Sequence, residues 1–337
     1  MGKKKIAILI LIFFIIGVFV CCLSALEIYS YSNRPASNED KKSLINIYPG
    51  QSLNSIIADL IKIGAIESPF KFKLLARIKK ADRKIKAGEY LLSTLMSPNE
   101  IIKKIVSGDI ALYKLTIPEG YNLSQIALSV ENAGFSSARE FLEAANDLNF
   151  IKEMKIPGDS FEGYLFPETY YFEKNVTPKQ IISCMVKRFW EKFTPAFIER
   201  ADNLGFSIHQ IVTIASIIEK ETGDESERPL ISSVFHNRLK KKMRLESDPT
   251  VIYGIKDFNG NITKKDLAEP TPYNTYMMSG LPPGPIANPG FSSIEAALFP
   301  SNTDYIFFVS KNNKTHYFSN NIKDHNKAVI KYQKKKR

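Results

Sequence analysis

The sequence predicts an α+β protein that is anchored by one N-terminal membrane helix, and three observations support this fold class. A long apolar segment lies near the N-terminus, short segments of alternating hydrophobicity follow it, and longer segments carry apolar residues at helical spacing. The chain has 337 residues, of which 44% are hydrophobic and 24% charged. It is therefore long enough for two or three globular domains of ordinary composition.

A membrane helix is predicted for residues 6–26, after a short cytoplasmic tail of residues 1–5. The 21 residues of this segment carry no charge, and about 20 apolar residues are needed to cross the bilayer core. Lys3, Lys4 and Lys5 precede the segment, so the positive-inside rule places the N-terminus in the cytoplasm and the remainder outside the cell (inner) membrane. A cleaved signal peptide is the competing interpretation, but the apolar run exceeds the usual signal core.

The basic net charge does not indicate a nucleic-acid partner. The formal excess is +11, but eight of these charges lie in residues 3–5 and in a predicted basic tail, residues 331–337. About +3 remains for the folded part, which is too little for an electrostatic footprint on a polyanion. Only Cys184 lies in the exported part, so an internal disulfide is excluded there.

An internal repeat follows the predicted linker of residues 27–43. Residues 45–56 and 115–126 both begin with alternating apolar residues, turn at a glycine, and continue with helical spacing up to Gly64 and Gly134. Each copy therefore predicts a strand, a turn and a helix.

The two copies belong to different predicted domains. The first, within residues 44–108, resembles a LysM-like module, a small fold that grips the glycan of peptidoglycan. A spacer that only sets the reach of the next domain is the alternative. The second copy opens an α+β catalytic domain predicted for residues 109–330.

The candidate catalytic group lies on a helix that starts after Ser207. Ser207 and Gln210 form a capping box, and Gly223 is a predicted helix stop. Glu219 occupies the next position of an apolar row, where burial would disfavour the charged form and keep the group able to donate a proton. Glu221 points to roughly the opposite side of the helix and is not its partner. A structural glutamate paired with an arginine is the alternative; the arginines weighed are Arg228, Arg238 and Arg244.

Several motifs then carry a resemblance to a known family. They are residues 161–170 (FEGYLFPETY), 214–222 (IASIIEKET), 247–254 (SDPTVIYG), 272–276 (PYNTY), 280–286 (GLPPGPI) and 288–290 (NPG). In this order they closely resemble the MltG (YceG-like) family of endolytic murein transglycosylases. The resemblance implies cleavage within glycan strands of peptidoglycan, association with a cell-wall synthase complex, and a catalytic role for Glu219.

The implied reaction needs only one catalytic carboxyl. A lytic transglycosylase uses the C6 hydroxyl of N-acetylmuramic acid as nucleophile and leaves a 1,6-anhydro end. Glu219 would protonate the glycosidic oxygen and then accept the hydroxyl proton, with the N-acetyl group of the substrate, Asp248 or Glu168 stabilising positive charge on the sugar. Two rivals remain: a non-catalytic peptidoglycan-binding scaffold for synthases, and a hydrolytic muramidase that leaves a reducing sugar.

Substrate-binding residues are predicted among the polar, aromatic and glycine positions of the same motifs and of a second helix at about 227–243. They are Asn237, Asp248, Tyr253, Tyr273, Asn274, Thr275, Tyr276, Gly284 and Asn288. Aromatic faces and amides suit sugar hydroxyl and acetamido groups. No metal or cofactor is expected, since the four histidines lack metal-ligand spacing, and His316 and His325 are predicted to lie on the surface.

Overall fold

The computed structural model describes residues 2–256 and 258–333, and it divides the chain into two compact units. The first unit ends at Tyr113 and the second begins at Lys114, a few residues after the boundary predicted at 108/109. Most of the predicted basic tail, residues 334–337, lies outside the described residues. The fold is a mixed α+β fold with an apolar N-terminal helix.

The first unit contains four helices and one antiparallel pair of strands. Its elements are α1 (Lys3–Asn33), β1 (Lys42–Ile47), α2 (Leu53–Lys62), α3 (Pro69–Ile78), β2 (Gly88–Ser93) and α4 (Pro98–Ser107). β1 and β2 pair antiparallel, with Leu44 opposite Leu91. One face of this pair is buried under the helices and contributes Ile45, Ile47, Tyr90 and Leu92 to the core. The likeness to a LysM module stays a prediction.

Helix α1 is longer than the sequence predicted. It is apolar enough to cross a membrane from Ile8 onward, and it continues without a break to Asn33. The predicted linker therefore begins as helix, because residues 27–33 extend the same helical turns. Tyr31 donates a hydrogen bond to the backbone oxygen of Ser68, and Asn99 donates to Ser32, so the end of α1 is packed on the unit.

The second unit is mainly helical and holds two small sheets. Its elements are β3 (Tyr113–Thr116, which begins at the last residue of the first unit), α5 (Leu123–Asn132), α6 (Ala138–Ala145), α7 (Leu148–Glu153), β4 (Thr169–Phe172), α8 (Pro178–Lys192), α9 (Pro195–Leu204), α10 (Ile208–Glu221), α11 (Arg228–Lys240), α12 (Asp248–Gly254), α13 (Lys264–Ala268), α14 (Phe291–Leu298), β5 (Phe307–Ser310), β6 (His316–Ser319) and α15 (Ile322–Tyr332). β3 pairs with β4, and β5 pairs antiparallel with β6.

The internal repeat predicts the local structure of both copies correctly. Each copy is a strand, a turn and a ten-residue helix, formed by β1 and α2 in the first unit and by β3 and α5 in the second. The turn glycines Gly50 and Gly120 have φ values of +78° and +74°, in the left-handed region that glycine adopts without a Cβ clash. Gly64 and Gly134 follow the helices with φ values of +71° and +75°.

Helix α10 is the centre of the second unit. The predicted capping box is present at Ser207 and Gln210, and residues 211–218 are all buried. The helix packs on α9, α11, α12 and α14. It ends at Glu221, two residues before the predicted stop at Gly223, because Thr222 already has an extended backbone. Its last turn therefore presents Glu219 and Glu221 at the border of the core.

Candidate active site

Glu219 lies among hydrogen-bond donors rather than among aliphatic side chains alone. Its side chain is 6% exposed, and its Oε1 is 3.3 Å from the Nη2 of Arg228, whose side chain is 5% exposed. The backbone N–H of Gly290 donates to Oε2 at 3.0 Å. This geometry matches the alternative that the sequence left open, a glutamate paired with Arg228.

A second carboxylate shares the same arginine. Glu119 Oε2 lies 3.6 Å from Arg228 Nη2, and Glu225 Oε1 lies 3.8 Å from Nη1. Burial, followed by the charge of Glu219, raises the pKa of Glu119. Glu119 also covers Gly290 so closely that a Cβ there would overlap its carboxylate. Glu119 belongs to the second repeat copy, where no spacing signal distinguishes it, and sequence reasoning did not select it.

Glu221 has different surroundings. The hydroxyl of Ser247 donates to its Oε1 at 2.5 Å. Burial, followed by the negative charge of Asp248, raises the pKa of Glu221 to about 7, against the opposing effects of the Ser247 hydrogen bond and of Arg238. A carboxyl with this pKa is protonated in about half of the molecules at neutral pH, which is the state that a general acid requires.

Glu221 lines a polar cavity of about 460 Å³. The other lining residues come from α11, α12, α15, the β5–β6 pair and two loops: Arg238, Leu245, Glu246, Asp248, Tyr276, Phe308, Val309, Ser310, His316, His325, Val329 and Gln333. A cavity of this size and polarity is suited to one or two sugar rings with their hydroxyl and acetamido groups.

Two predicted binding residues and two histidines meet at this cavity. Tyr276 donates its hydroxyl proton to Asp248 at 2.7 Å, which fixes the tyrosine ring beside the carboxylate. Burial, followed by this bond, raises the pKa of Tyr276. The prediction that His316 and His325 lie on the surface is wrong, because both are partly buried and line the cavity. The ring Nδ1 of His316 is 2.7 Å from the carboxylate of Glu227, which also accepts the backbone N–H of His316.

Three other predicted binding residues are fully buried and hydrogen-bonded within the protein. The Asn274 amide donates to the backbone oxygens of residues 266, 267 and 269. The Thr275 hydroxyl accepts the N–H of Ser247 and bonds Thr250, while Asn288 joins the backbone of residues 121 and 165 to Glu162. Direct contact of these side chains with a sugar stays a prediction, and their contacts favour a supporting role.

The remaining predicted binding residues do not line the Glu221 cavity. Tyr253 packs on Tyr273 with ring centroids 4.8 Å apart and donates to Glu162 at 3.1 Å. Asn237 donates to the backbone oxygens of residues 303 and 305 and lines a separate cavity of about 750 Å³. Gly284 is buried, and a Cβ there would press on the ring of His209.

Two further acidic residues, Glu168 and Glu162, do not line the cavity. Glu168, a predicted assistant of the catalytic acid, forms a two-pronged ion pair with Arg188 at 2.5 and 2.8 Å, and this pair lowers its pKa. The sequence pattern did not predict Glu162 as a site residue. Its side chain is buried, and burial raises its pKa to about 7. It accepts from Leu123, Tyr253 and Asn288 and thereby joins α5, α12 and the loop before α14.

The fold and the cavity define a class of protein. Within residues 2–256 and 258–333, no group of three or more histidine, cysteine or acidic side chains is arranged to hold a metal ion. What the cavity does offer is a titratable carboxyl beside a second carboxylate, an arrangement typical of proteins that cleave glycosidic bonds by general acid catalysis.

Comparison with known proteins agrees with this class. Residues 45–331 match the YceG-like family. A Bacillus subtilis (strain 168) protein named endolytic murein transglycosylase is 36% identical over 333 residues, which cover 94% of this chain and 90% of that protein. A Streptococcus pneumoniae (serotype 2, strain D39) protein of the same name is 30% identical, and the match covers 94% of this chain and 64% of that protein. A crystal structure of a yceG-like protein from Listeria monocytogenes is 36% identical, with a TM-score of 0.60 over 86% of this chain and 99% of that one. The chain belongs to the YceG-like family, as its motifs predicted.

Proposed function

We propose that this protein is an endolytic murein transglycosylase, which cuts the MurNAc-GlcNAc bond within glycan strands and leaves 1,6-anhydro-MurNAc ends. Two kinds of evidence support the proposal. The relatives named above carry this activity in their names and match almost the whole chain. The observation that carries it on the structural side is the Glu221 carboxyl, with a pKa of about 7, at the wall of a 460 Å³ polar cavity.

We propose Glu221 as the catalytic acid, and Glu219, whose catalytic role the family resemblance implies, remains the alternative. Glu219 lies between Arg228 and the backbone N–H of Gly290 and does not line the polar cavity, whereas Glu221 does. Glu219 is also engaged on both oxygens. We assign it a positioning role, in which it ties the end of α10 to the start of α14.

Glu221 acts twice in one turnover. It first protonates the glycosidic oxygen, so that the bond from this oxygen to C1 of MurNAc breaks and the GlcNAc end leaves as an alcohol. The resulting carboxylate then takes the proton from the C6 hydroxyl as that oxygen bonds to C1. The proton from the C6 hydroxyl restores the acid form of Glu221, and no water is consumed. Because nucleophile and leaving group belong to one bound substrate, the ring closure benefits from proximity.

Asp248 stabilises the positive charge that develops on the sugar. Its carboxylate lies at the same cavity and is held by the hydroxyl of Tyr276 at 2.7 Å. A negative charge at this place also disfavours ionisation of Glu221, so Asp248 supports both steps.

The cellular setting follows from the N-terminal helix. We propose a single-pass protein of the cell (inner) membrane with the N-terminus in the cytoplasm and both compact units outside, where peptidoglycan is assembled. A cell-wall synthase complex is the expected partner, because strand cutting must be matched to strand synthesis. A scaffold that binds glycan without cutting it is the competing function.

Product analysis tests this function directly. Full-length protein is incubated with purified glycan strands, and the fragments are analysed by mass spectrometry. We expect internal cuts with 1,6-anhydro ends, which are lighter by one water than hydrolytic ends. Reducing ends would indicate a muramidase, and intact strands would indicate the scaffold.

A further inference from the structure

The first unit exposes an apolar stripe on a strongly basic helix. Phe70, Leu74 and Ile78 lie four residues apart on α3, and their side chains are 74%, 36% and 62% exposed. Ile61 of α2 is also exposed, and a groove of about 490 Å³ runs between α2 and α3. A soluble helix normally buries such a stripe, so this face is suited to an apolar surface.

Basic residues flank the stripe. Residues 62–86 contain nine lysines and arginines and only two acidic residues. Lys73 and Arg77 lie on α3 between the apolar positions, and Lys79 and Lys80 follow its last residue. Large apolar side chains beside a cationic face on one helix are typical of helices that lie in the headgroup layer of a membrane.

Contacts with α1 hold this helix close to the membrane. Lys71 of α3 forms an ion pair with Glu27 at 2.6 Å, and its ammonium group lies 5.9 Å from the ring centre of Tyr31. Residues 34–41 are also tied to the unit, since the N–H of Ser37 donates to the backbone oxygen of Thr94. No free linker therefore separates the apolar helix from the unit.

Helix geometry gives the distance from the membrane-spanning segment to the end of α1. The uncharged segment ends at residue 26, and Asn33 lies seven residues later, which is about 10 Å along a helix. The polar layer of a bilayer is about 5–8 Å thick on each side. Lys71 of α3, which contacts Glu27 and Tyr31, thus lies within or next to the headgroups when α1 spans the membrane.

We propose that α3 is a second membrane contact, whose Phe70, Leu74 and Ile78 enter the outer boundary of the bilayer while its basic residues bind anionic phospholipid headgroups. This inference rests on membrane insertion of α1, but not on the catalytic activity. It gives the first unit a fixed height above the membrane, which in turn restricts how far from the bilayer a glycan strand meets this unit.

Tryptophan quenching by brominated lipid chains tests the contact in full-length protein. The chain has one tryptophan, Trp190, so the wild-type signal serves as the background. Phe70→Trp and Ile78→Trp are compared with Leu91→Trp, a control on the exposed side of β2, in vesicles of phosphatidylcholine with and without phosphatidylglycerol. We expect strong quenching at positions 70 and 78, enhanced by phosphatidylglycerol, and background quenching at position 91. Equal quenching at all three positions, or none at 70 and 78, would overturn the proposal.

Two further variants separate the insertion of α1 from the attraction of α3 to anionic lipid. Phe13→Trp lies inside α1 and must be quenched; an unquenched signal there would reject the membrane anchor together with the α3 contact. Lys73→Glu with Arg77→Glu, added to Phe70→Trp, should remove the phosphatidylglycerol enhancement, because each basic residue strengthens binding to anionic lipid about fivefold. Loss of the quenching on addition of glycan strands would instead assign the face to glycan and also overturn the proposal.

Discussion

The last turn of α10 brings two carboxyl groups into opposite surroundings. Glu219 meets a buried arginine and a backbone N–H, while Glu221, two residues later, meets a serine hydroxyl and a polar cavity. Arg228 and Gly290 engage both oxygens of Glu219, while burial and then the charge of Asp248 raise the pKa of Glu221 to about 7. Helical position alone therefore does not decide the surroundings of a carboxyl, because the residues packed against it come from other elements.

The largest expected effect separates the two glutamates by activity. Glu221→Gln should lower kcat on glycan strands by about 10²–10⁴-fold, because an amide cannot deliver the proton. Glu219→Gln is the matched variant and should retain a substantial part of the activity. Release of anhydro-terminated fragments, quantified by mass spectrometry, measures both. An inactive Glu219→Gln protein with a fully active Glu221→Gln protein would reverse the assignment.

Removal of the arginine should affect stability instead. Arg228→Met leaves Glu219 buried without its charge partner, and we expect the second unit to lose about 3–5 kcal/mol of unfolding free energy. Urea unfolding followed by circular dichroism measures the change. The double variant with Glu219→Gln should lose less than the sum of the single losses, because the unpaired charge is gone. Additive losses would show that the pair is not coupled.

The pH dependence of wild-type activity should report the cavity carboxyl. Because the folded pKa of Glu221 is raised to about 7, the acid form is present below this pH and is lost above it. We therefore expect kcat to fall about tenfold per pH unit on the alkaline side of 7. An activity that stays constant from pH 6 to pH 9 would contradict a proton donor of this pKa.

The smallest expected effect is a shift in the alkaline limb of the pH profile, the range above pH 7 in which kcat falls. Asp248→Asn removes the negative charge that raises the pKa of Glu221, so the limb should move to lower pH by less than about one unit. Glu225→Gln, on the arginine side of the helix end, is the control and should leave the limb in place. A shift to higher pH in Asp248→Asn would show that the two carboxyls do not interact as described.

Local sequence signals were sufficient for much of the fold. The apolar run predicted α1, the 70-residue echo predicted β1 with α2 and β3 with α5, and the Ser207–Gln210 capping box predicted the start of α10. These features depend on residues within a few positions of each other. The length of α1 was underestimated because its polar last two turns gain stability from packing on α3 and α4, which the local composition does not reveal.

The candidate site needed contacts between distant residues. Glu219 bonds Gly290 across 71 positions, His316 bonds Glu227 across 89, and the buried Glu162 bonds Asn288 across 126. Hydrophobic periodicity showed that Glu219 continues an apolar row of α10. It did not show that Arg228 of α11 would contact Glu219. Asn274 and Asn288 were predicted to bind sugar, and the structure shows both fully buried. A sequence motif does not reveal whether an amide faces solvent or the backbone.

The sequence by itself determined the long apolar N-terminal helix, the repeated strand and helix units, the helix caps and the family. Those properties come from hydrophobic spacing, glycine geometry and short-range hydrogen bonds, which depend on residues close together in the sequence. Only the tertiary structure decided which of two neighbouring glutamates faces a cavity and which is paired with an arginine. The physical reason is that burial and electrostatic surroundings are set by whatever residue packs on a helix face, and that residue comes from elsewhere in the chain.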